Sequence, residues 1–327
     1  MIDLCQSAVP RLSVVIPAYN MAGYLPLAVD SVLAQDAPVH ELLVLDNAST
    51  DDTPQVMARY ARTAVDYRRN SDNLGLAGNV GLGCALATGD AILFLGADDR
   101  LEPGFARAAT TFLAAEPEVA LVHGPAAWID AGGRRFGGTG QAWPRLTPGR
   151  EAMLGAFGRG FSFSTMVMRT AAIRATGPFD PRWQEVIDLW LFLRMCLAGN
   201  VGYLDQALVE YRVHDQAMSM PMYRDNLMFR RQMRAAQEAF AWPGATAAHR
   251  REAERQIART AVGVLHMARA GGRMNLVRNL AEIARAVPES LTWAQTWARL
   301  GFGMLPAGAI AGLRQRRRTA AHAAAAR

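Results

Sequence analysis

Over the first hundred residues, short apolar runs rich in β-branched side chains alternate with stretches whose apolar positions recur at helical spacing. Residues 12–16 (Leu-Ser-Val-Val-Ile), closed by Pro17, read as a strand buried on both faces. Between 24 and 35, Leu25, Ala28, Val29, Val32 and Leu33 mark one face of a helix. A second strand is predicted over 41–45, then a turn rich in capping residues over 47–53, then a helix over 53–64 with Asp51 and Asp52 at its positive end. A third, shorter strand at 66–70, a helix at 78–87 and a fourth strand at 91–95 follow, and that strand runs into Gly96-Ala97-Asp98-Asp99. Beyond it the pattern loosens. Residues 100–218 mix helices with Gly- and Pro-rich pieces, 222–285 read as helical, and the end carries Gln315-Arg316-Arg317-Arg318 before an Ala-rich stretch that reads as solvated.

Strand and helix alternating through short connections predict an α/β fold, a doubly wound and mostly parallel Rossmann-like sheet, with a helical C-terminal extension. The expected division is a domain over 1–220 and a helical region with a basic tail over 221–327. Ligands of such sheets bind beyond the carboxyl ends of the strands. Tyr19-Asn20, Asp46-Asn47 and Asp98-Asp99 each follow directly after a predicted strand, so three polar clusters converge on one edge.

Charge and composition narrow the field. The chain has 327 residues and a net charge of +6, and every basic residue is arginine. That balance suits a polyanionic ligand, a nucleic acid or an anionic membrane surface. Acidic residues at the strand ends would repel a phosphate backbone, so nucleic acid is not expected as a partner. Cys5, Cys84 and Cys196 are too few and too scattered for a disulfide framework, which favours a reducing cytoplasm. The N-terminus lacks a basic segment followed by a long apolar one, and no run of about 18 apolar residues predicts a membrane span.

Two adjacent carboxylates at a strand end repel one another and stay ionised only beside a cation or strong donors. Asp98-Asp99 therefore read either as the carboxylates that meet a divalent ion and a diphosphate, or as an ordinary turn. Asp46 reads either as an acceptor for a base or ribose, or as the cap of its own turn. Asp188 lies in the apolar stretch Val186-Ile187-Asp188-Leu189-Trp190, as a general base in a cleft or as a helix-end group paired with Arg194. His214 reads as a metal or phosphate ligand or as a surface histidine.

In order and spacing these pieces resemble family 2 glycosyltransferases, which are inverting enzymes of GT-A fold. Val14 to Asn20 is similar to that family's opening strand and nucleotide loop, and Asp46-Asn47-Ala48-Ser49-Thr50-Asp51 to its Asp-Asp-Gly-Ser-Thr-Asp signature. The run from 73 to 89 resembles the family's Asn-x-Gly segment. Gly177-Pro178-Phe179-Asp180, residues 188–194 and Tyr211-Arg212-Val213-His214 resemble its later stretches. The resemblance covers roughly 11–218 and implies transfer of a sugar from a nucleoside-diphosphate sugar to a glycan or lipid-linked acceptor in cell-surface polysaccharide or glycolipid synthesis. It implies that Pro17, Ala18, Tyr19, Asn20, Asp46, Asn73, Gly75 and Asp98 hold the nucleotide, that Asp98, Asp99 and His214 bind Mn²⁺ or Mg²⁺, and that Asp188 is the catalytic base. Two positions depart from the pattern: Gly96 stands where many relatives carry an acid, and Ile187 where many carry Glu. Those departures define the rival expectation, a catalytically weak module that only binds nucleotide-sugar. Trp293, Trp297, Phe302 and Leu305 ahead of the arginine run imply peripheral docking on the inner face of the plasma membrane, with a helix packed on the protein as the other reading.

Overall fold

The computed structural model describes residues 9–139, 142–175, 177, 179–215, 222, 226–241, 246–265, 273–293 and 296–298. They fall into two compact units, one within 1–217 and one within 218–327.

The first unit opens with the predicted alternation. β1 (Leu12–Ala18), α1 (Leu25–Leu33), β2 (Glu41–Asp46), α2 (Thr53–Met57), β3 (Val65–Arg69), α3 (Gly75–Leu86) and β4 (Ala91–Phe94) follow in turn. β1 pairs in parallel with β2 on one side and β4 on the other, and β2 pairs in parallel with β3. Val14, Val15 and Ile16 have no solvent exposure, as expected of a central strand covered on both faces. One face packs Val14, Ile16, Leu42 and Val44 against Leu25, Ala28, Val29 and Val32 of α1. α3 covers the other face, where Gly83 comes against Val15, Leu45 and Phe94.

Two helix boundaries differ from the sequence pattern for local reasons. α2 stops at Met57 and tightens into a 3-10 turn over Ala58–Tyr60, short of the predicted residue 64. α3 starts at Gly75 rather than 78, because side chains take up main-chain N–H groups there: Leu74 donates to Asn47 Oδ1 (2.9 Å) and Gly75 to Asn73 Oδ1 (2.8 Å).

The stretch from 100 to 215 completes the sheet. It contributes β5 (Arg100–Leu101), α4 (Phe105–Ala115), β6 (Val119–His123), β7 (Ala126–Ile129), β8 (Arg135–Gly138), β9 (Leu146–Thr147), α5 (Gly149–Gly158), β10 (Val167–Arg169), α6 (Thr170–Ala175), α7 (Ile187–Ala198), β11 (Asn200–Tyr203) and β12 (Val209–Arg212). Among the described residues the large sheet has the order β3-β2-β1-β4-β10-β6-β11-β9. β10 runs antiparallel to both β4 and β6, β9 is antiparallel to β11, and β11 is parallel to β6. A smaller sheet of order β5-β12-β7-β8 stands beside it and brings β12 antiparallel to β5, just after the carboxyl end of β4. The architecture is therefore the expected mostly parallel α/β fold. Cys84 and Cys196 are buried free thiols.

The second unit is helical, with α8 (Leu227–Ala239), α9 (Ala247–Val264) and α10 (Arg273–Ala286). Phe229, Ala236, Ile257, Ala258, Leu276 and Ile283 are buried within it. No helix among the described residues is long and apolar enough to cross a membrane. The arginine run and most of the aromatic segment before it lie outside the described residues.

Candidate functional site at the strand ends

The carboxyl ends of β1, β2 and β4 bring the predicted polar clusters to one edge, where hydrogen bonds lock the loops together. Asn20 has a left-handed backbone (φ 53°); its N–H donates to Ser49 Oγ (2.9 Å) and its Oδ1 accepts from the Thr50 N–H (2.8 Å). The Asn47 N–H donates to the Ala18 carbonyl (2.8 Å). Pro17 is half-buried and Ala18 buried, while Tyr19 is 44% exposed and free to meet a ligand.

Asp46 is turned inward. It has no solvent exposure; Oδ1 accepts from the Ser49 N–H (2.8 Å), and Oδ2 from the Tyr67 hydroxyl (2.7 Å) with Arg69 Nε 3.4 Å away. Burial, and then the neighbouring Asp46, push the Tyr67 hydroxyl well above its ordinary pKa, so it stays a donor. Arg69, half exposed, also donates to the Ser49 carbonyl (2.8 Å). Asp46 thus shapes the β2 turn through Ser49, Tyr67 and Arg69.

Asn73 and Gly75 join the edge through an asparagine network that the sequence reading left unassembled. Asn47 Nδ2 donates to Asn73 Oδ1 (2.8 Å) and to the Gly75 carbonyl (3.2 Å). Asn70 Nδ2 bridges Asn47 Oδ1 (3.0 Å) and Asn79 Oδ1 (3.1 Å), and Asn79 Nδ2 donates to the Leu45 carbonyl (2.8 Å). Gly75 takes φ 70°, a conformation that favours glycine.

At the end of β4 the two aspartates part company. Asp98, 22% exposed at its side chain, presents Oδ2 to Nε2 of the buried His214 (2.9 Å). Asp99 is only 2% exposed and both its oxygens are engaged: Oδ2 accepts from the Ser164 hydroxyl (2.5 Å), and Oδ1 from the Arg212 main-chain N–H (2.8 Å). Burial, followed by the charge of Asp98, raises the pKa of Asp99 well above the carboxylate norm, against the lowering pull of Ser164 and Arg212. Arg212 is almost wholly buried. Its Nε donates to the Asp98 carbonyl (2.8 Å) and its Nη1 to the Asp130 carbonyl (3.0 Å), and its guanidinium lies 4.8 Å over the Tyr24 ring. Tyr24 also meets the His214 ring, with centroids 4.9 Å apart. Ser164 and Tyr24 had no part in the sequence reading; each is a single residue with no pattern around it, and only the folded chain brings them here.

Donor chemistry decides what these residues can hold. Asp98 supplies a part-exposed hard oxygen and His214 an imidazole nitrogen, which together suit Mn²⁺ or Mg²⁺. No set of three acidic, histidine or cysteine side chains able to hold a metal occurs among the described residues. A cation at Asp98 and His214 would therefore take its remaining ligands from phosphate oxygens and water.

Asp188 lies in the first turn of α7, half-buried, and its Oδ1 accepts from the Leu189 N–H (2.8 Å). Burial raises its pKa above the ordinary carboxylate value, opposed by main-chain N–H groups. A carboxylate so placed is a stronger base than one in water. Its carboxylate bonds to its own helical turn rather than to the Asp98 or Asp46 clusters.

Comparison with known proteins bears on the family and the fold. A family model described as glycosyl transferase family 2 matches residues 13–175. The putative glycosyltransferase EpsE of Bacillus subtilis is 30% identical over 217 residues, which are 64% of this chain and 75% of EpsE. The chain spans 65% of the length of an uncharacterized Nostoc glycosyltransferase that it also matches. Among solved structures, S. aureus TarS 1–349 in complex with UDP-GlcNAc superposes with a TM-score of 0.60 at 16% identity, covering 93% of this chain and 92% of that one. A Pyrobaculum calidifontis mannosyltransferase in complex with GDP-Man and Mn²⁺ gives 0.55 at 20% identity, covering 89% and 85%.

Proposed function

Because the chain belongs to glycosyl transferase family 2, we propose that it moves a sugar from a nucleoside-diphosphate sugar to an acceptor hydroxyl with inversion at the anomeric carbon. The observation that carries this reading is the Asp98–His214 pair (2.9 Å) at the carboxyl end of β4, on the edge where the β1 and β2 loops also end. Asp98 and His214 would hold Mn²⁺ or Mg²⁺; when bound, the cation supplies charge neutralisation for the departing diphosphate. Pro17, Ala18, Tyr19, Asn20, Asn73 and Gly75 line the nucleoside side, and Asp46 acts through the turn it fixes. Tyr19 offers its exposed ring to a base, and Arg212 fixes the β4 turn from behind. Asp188 takes the proton of the acceptor hydroxyl, whose oxygen attacks the anomeric carbon as the bond to the diphosphate breaks. The acceptor is a cell-surface glycan or glycolipid, the class that the family resemblance implies.

The deciding experiment is calorimetric titration with UDP, GDP, dTDP and CDP, with and without Mn²⁺, on the wild type and on Asp98→Asn. Metal-dependent binding of one nucleotide, lost in the variant, supports the reading and identifies the donor base. A folded protein that binds none of the four overturns it, and binding without any turnover of the matching sugar donor would instead favour the weak binding module.

A further inference from the structure

We propose that Ser164 is a positioning residue that, with the bare backbone at Gly96, draws Asp99 into the protein and leaves Asp98 as the single carboxylate presented to the donor; the inference rests on the glycosyl-transfer reading above. Three segments distant in sequence meet around Asp99. The Gly96 N–H donates to Ser164 Oγ (2.9 Å), and the Ser164 hydroxyl donates onward to Asp99 Oδ2. The Asp99 N–H closes the turn on the Gly96 carbonyl (3.1 Å), and the Arg212 N–H occupies Asp99 Oδ1 (2.8 Å). Ser164 is itself 1% exposed, so its donor and acceptor capacity are spent on the two ends of one four-residue turn. Serine suits this task because one oxygen both accepts and donates.

The space at Gly96 gives an independent argument. A Cβ there would stand 2.9 Å from Asp99 Oδ2 and 3.0 Å from Asp98 Oδ1, closer than such atoms pack. A side chain at 96 would oblige the nearby carboxylate oxygens of Asp99 and Asp98 to shift, so the bare backbone at Gly96 lets both sit where they do. Gly96 is then the geometric companion of Ser164 rather than a lost ligand. Asp99 is 2% exposed with a protein donor on each oxygen, whereas the Asp98 side chain is 22% exposed and its Oδ1 accepts no hydrogen bond from the described residues. Ser164 acts on the metal through Asp99 and the turn, and touches no reacting atom.

The test is Mn²⁺ binding followed by electron paramagnetic resonance on the full chain, first with Mn²⁺ alone and then with the nucleotide that the wild type prefers. Ser164→Ala is expected to weaken Mn²⁺ binding about 10-fold, the scale on which residues behind a metal's ligands act. Gly96→Ala removes no hydrogen bond, keeps the family fold, and is expected to weaken Mn²⁺ binding by a similar factor through displacement alone. In both variants, nucleotide affinity without metal is expected to stay within about twofold, since no nucleoside contact changes. Mn²⁺ affinity unchanged in Gly96→Ala, or in a folded Ser164→Ala, overturns the proposal. Equal losses of metal-free and metal-dependent nucleotide binding also overturn it, because a merely structural role would move both. A wild type that binds Mn²⁺ but no nucleotide sinks the transfer reading while leaving the variants to decide the role of Ser164. A wild type that binds neither overturns both.

Discussion

Ala48 shows at the scale of one residue how a signature can be kept at a cost. The family pattern places glycine there, and the structure gives Ala48 a left-handed backbone at φ 61°. An L-residue with a Cβ pays about 1–2 kcal/mol in that region. Ala48→Gly is therefore expected to stabilise the protein by about 1 kcal/mol, the excess flexibility of glycine in the unfolded chain offsetting part of the gain. The midpoint of urea unfolding would read the change, and an unaltered or lowered midpoint would show that the turn does not strain alanine. Asp188 carries a prediction of a different kind. As the proposed base, with a pKa raised by burial, it is expected to become competent only as pH climbs through a value above the usual carboxylate range. The acidic limb of kcat should rise with pH across that window, and Asp188→Asn should lower kcat by about 10²–10⁴ while nucleotide affinity holds. Raised burial also works on stability with a defined sign. A carboxyl group whose pKa is higher in the folded state favours folding fully below its unfolded value, and that contribution is lost as pH rises through the folded value. Asp188→Asn should accordingly flatten the fall in stability above about pH 4, as measured by urea unfolding at a series of pH values.

Elements differ in how plainly they announced themselves. β1, β2 and β4 were legible because central strands covered on both faces are continuous apolar runs, and the carboxylates after them were legible because polarity changes abruptly at Asp46 and Asp98. β10 was not, since a three-residue strand has no period to read; it exists because it fills the space between β4 and β6. β6, a Val-Ala-Leu-Val-His run, carried an apolar signal, but the irregular Gly- and Pro-rich chain after it hid its place in the sheet. The start of α3 was missed because side chains from another loop set it, and the asparagine network that does so is the most telling case. Asn79 is 1% exposed and satisfied at both ends, by Leu45 and Asn70. Asn79→Ala should leave the Leu45 carbonyl and Asn70 short of partners and cost about 1–3 kcal/mol, with nucleotide affinity falling as well because Asn47 and Asn73 share the network. A variant as stable as the wild type would show that water replaces the amide.

For the molecule as a whole, the sequence places its basic charge unevenly. Arg314, Arg316, Arg317 and Arg318 lie within five residues, after a segment carrying Trp293, Trp297, Phe302 and Leu305. Of these, Trp293 and Trp297 fall among the described residues. The Arg259 guanidinium lies 5.3 Å over the Trp293 ring, whereas Trp297 is 55% exposed, with its indole N–H donating to the Leu291 carbonyl (2.8 Å), so the Trp297 ring is presented rather than buried. An exposed aromatic ring ahead of a basic cluster is the composition of a peripheral anchor on an anionic leaflet, which is where lipid-linked acceptors would be met. At about 1 kcal/mol per arginine near such a surface, four residues amount to about 4 kcal/mol, or about 10³ in partitioning. The full chain should co-sediment with vesicles containing phosphatidylglycerol and stay in the supernatant with purely phosphatidylcholine ones. Release is expected as salt approaches about 1 M, where screening shrinks the reach of each charge to a few ångströms. A chain ending at Pro288 should lose the binding while keeping nucleotide affinity, since every residue of the candidate site precedes 217. Equal co-sedimentation of the shortened chain would move the membrane contact elsewhere, and binding that ignores lipid charge would assign it to the apolar segment rather than to the arginines.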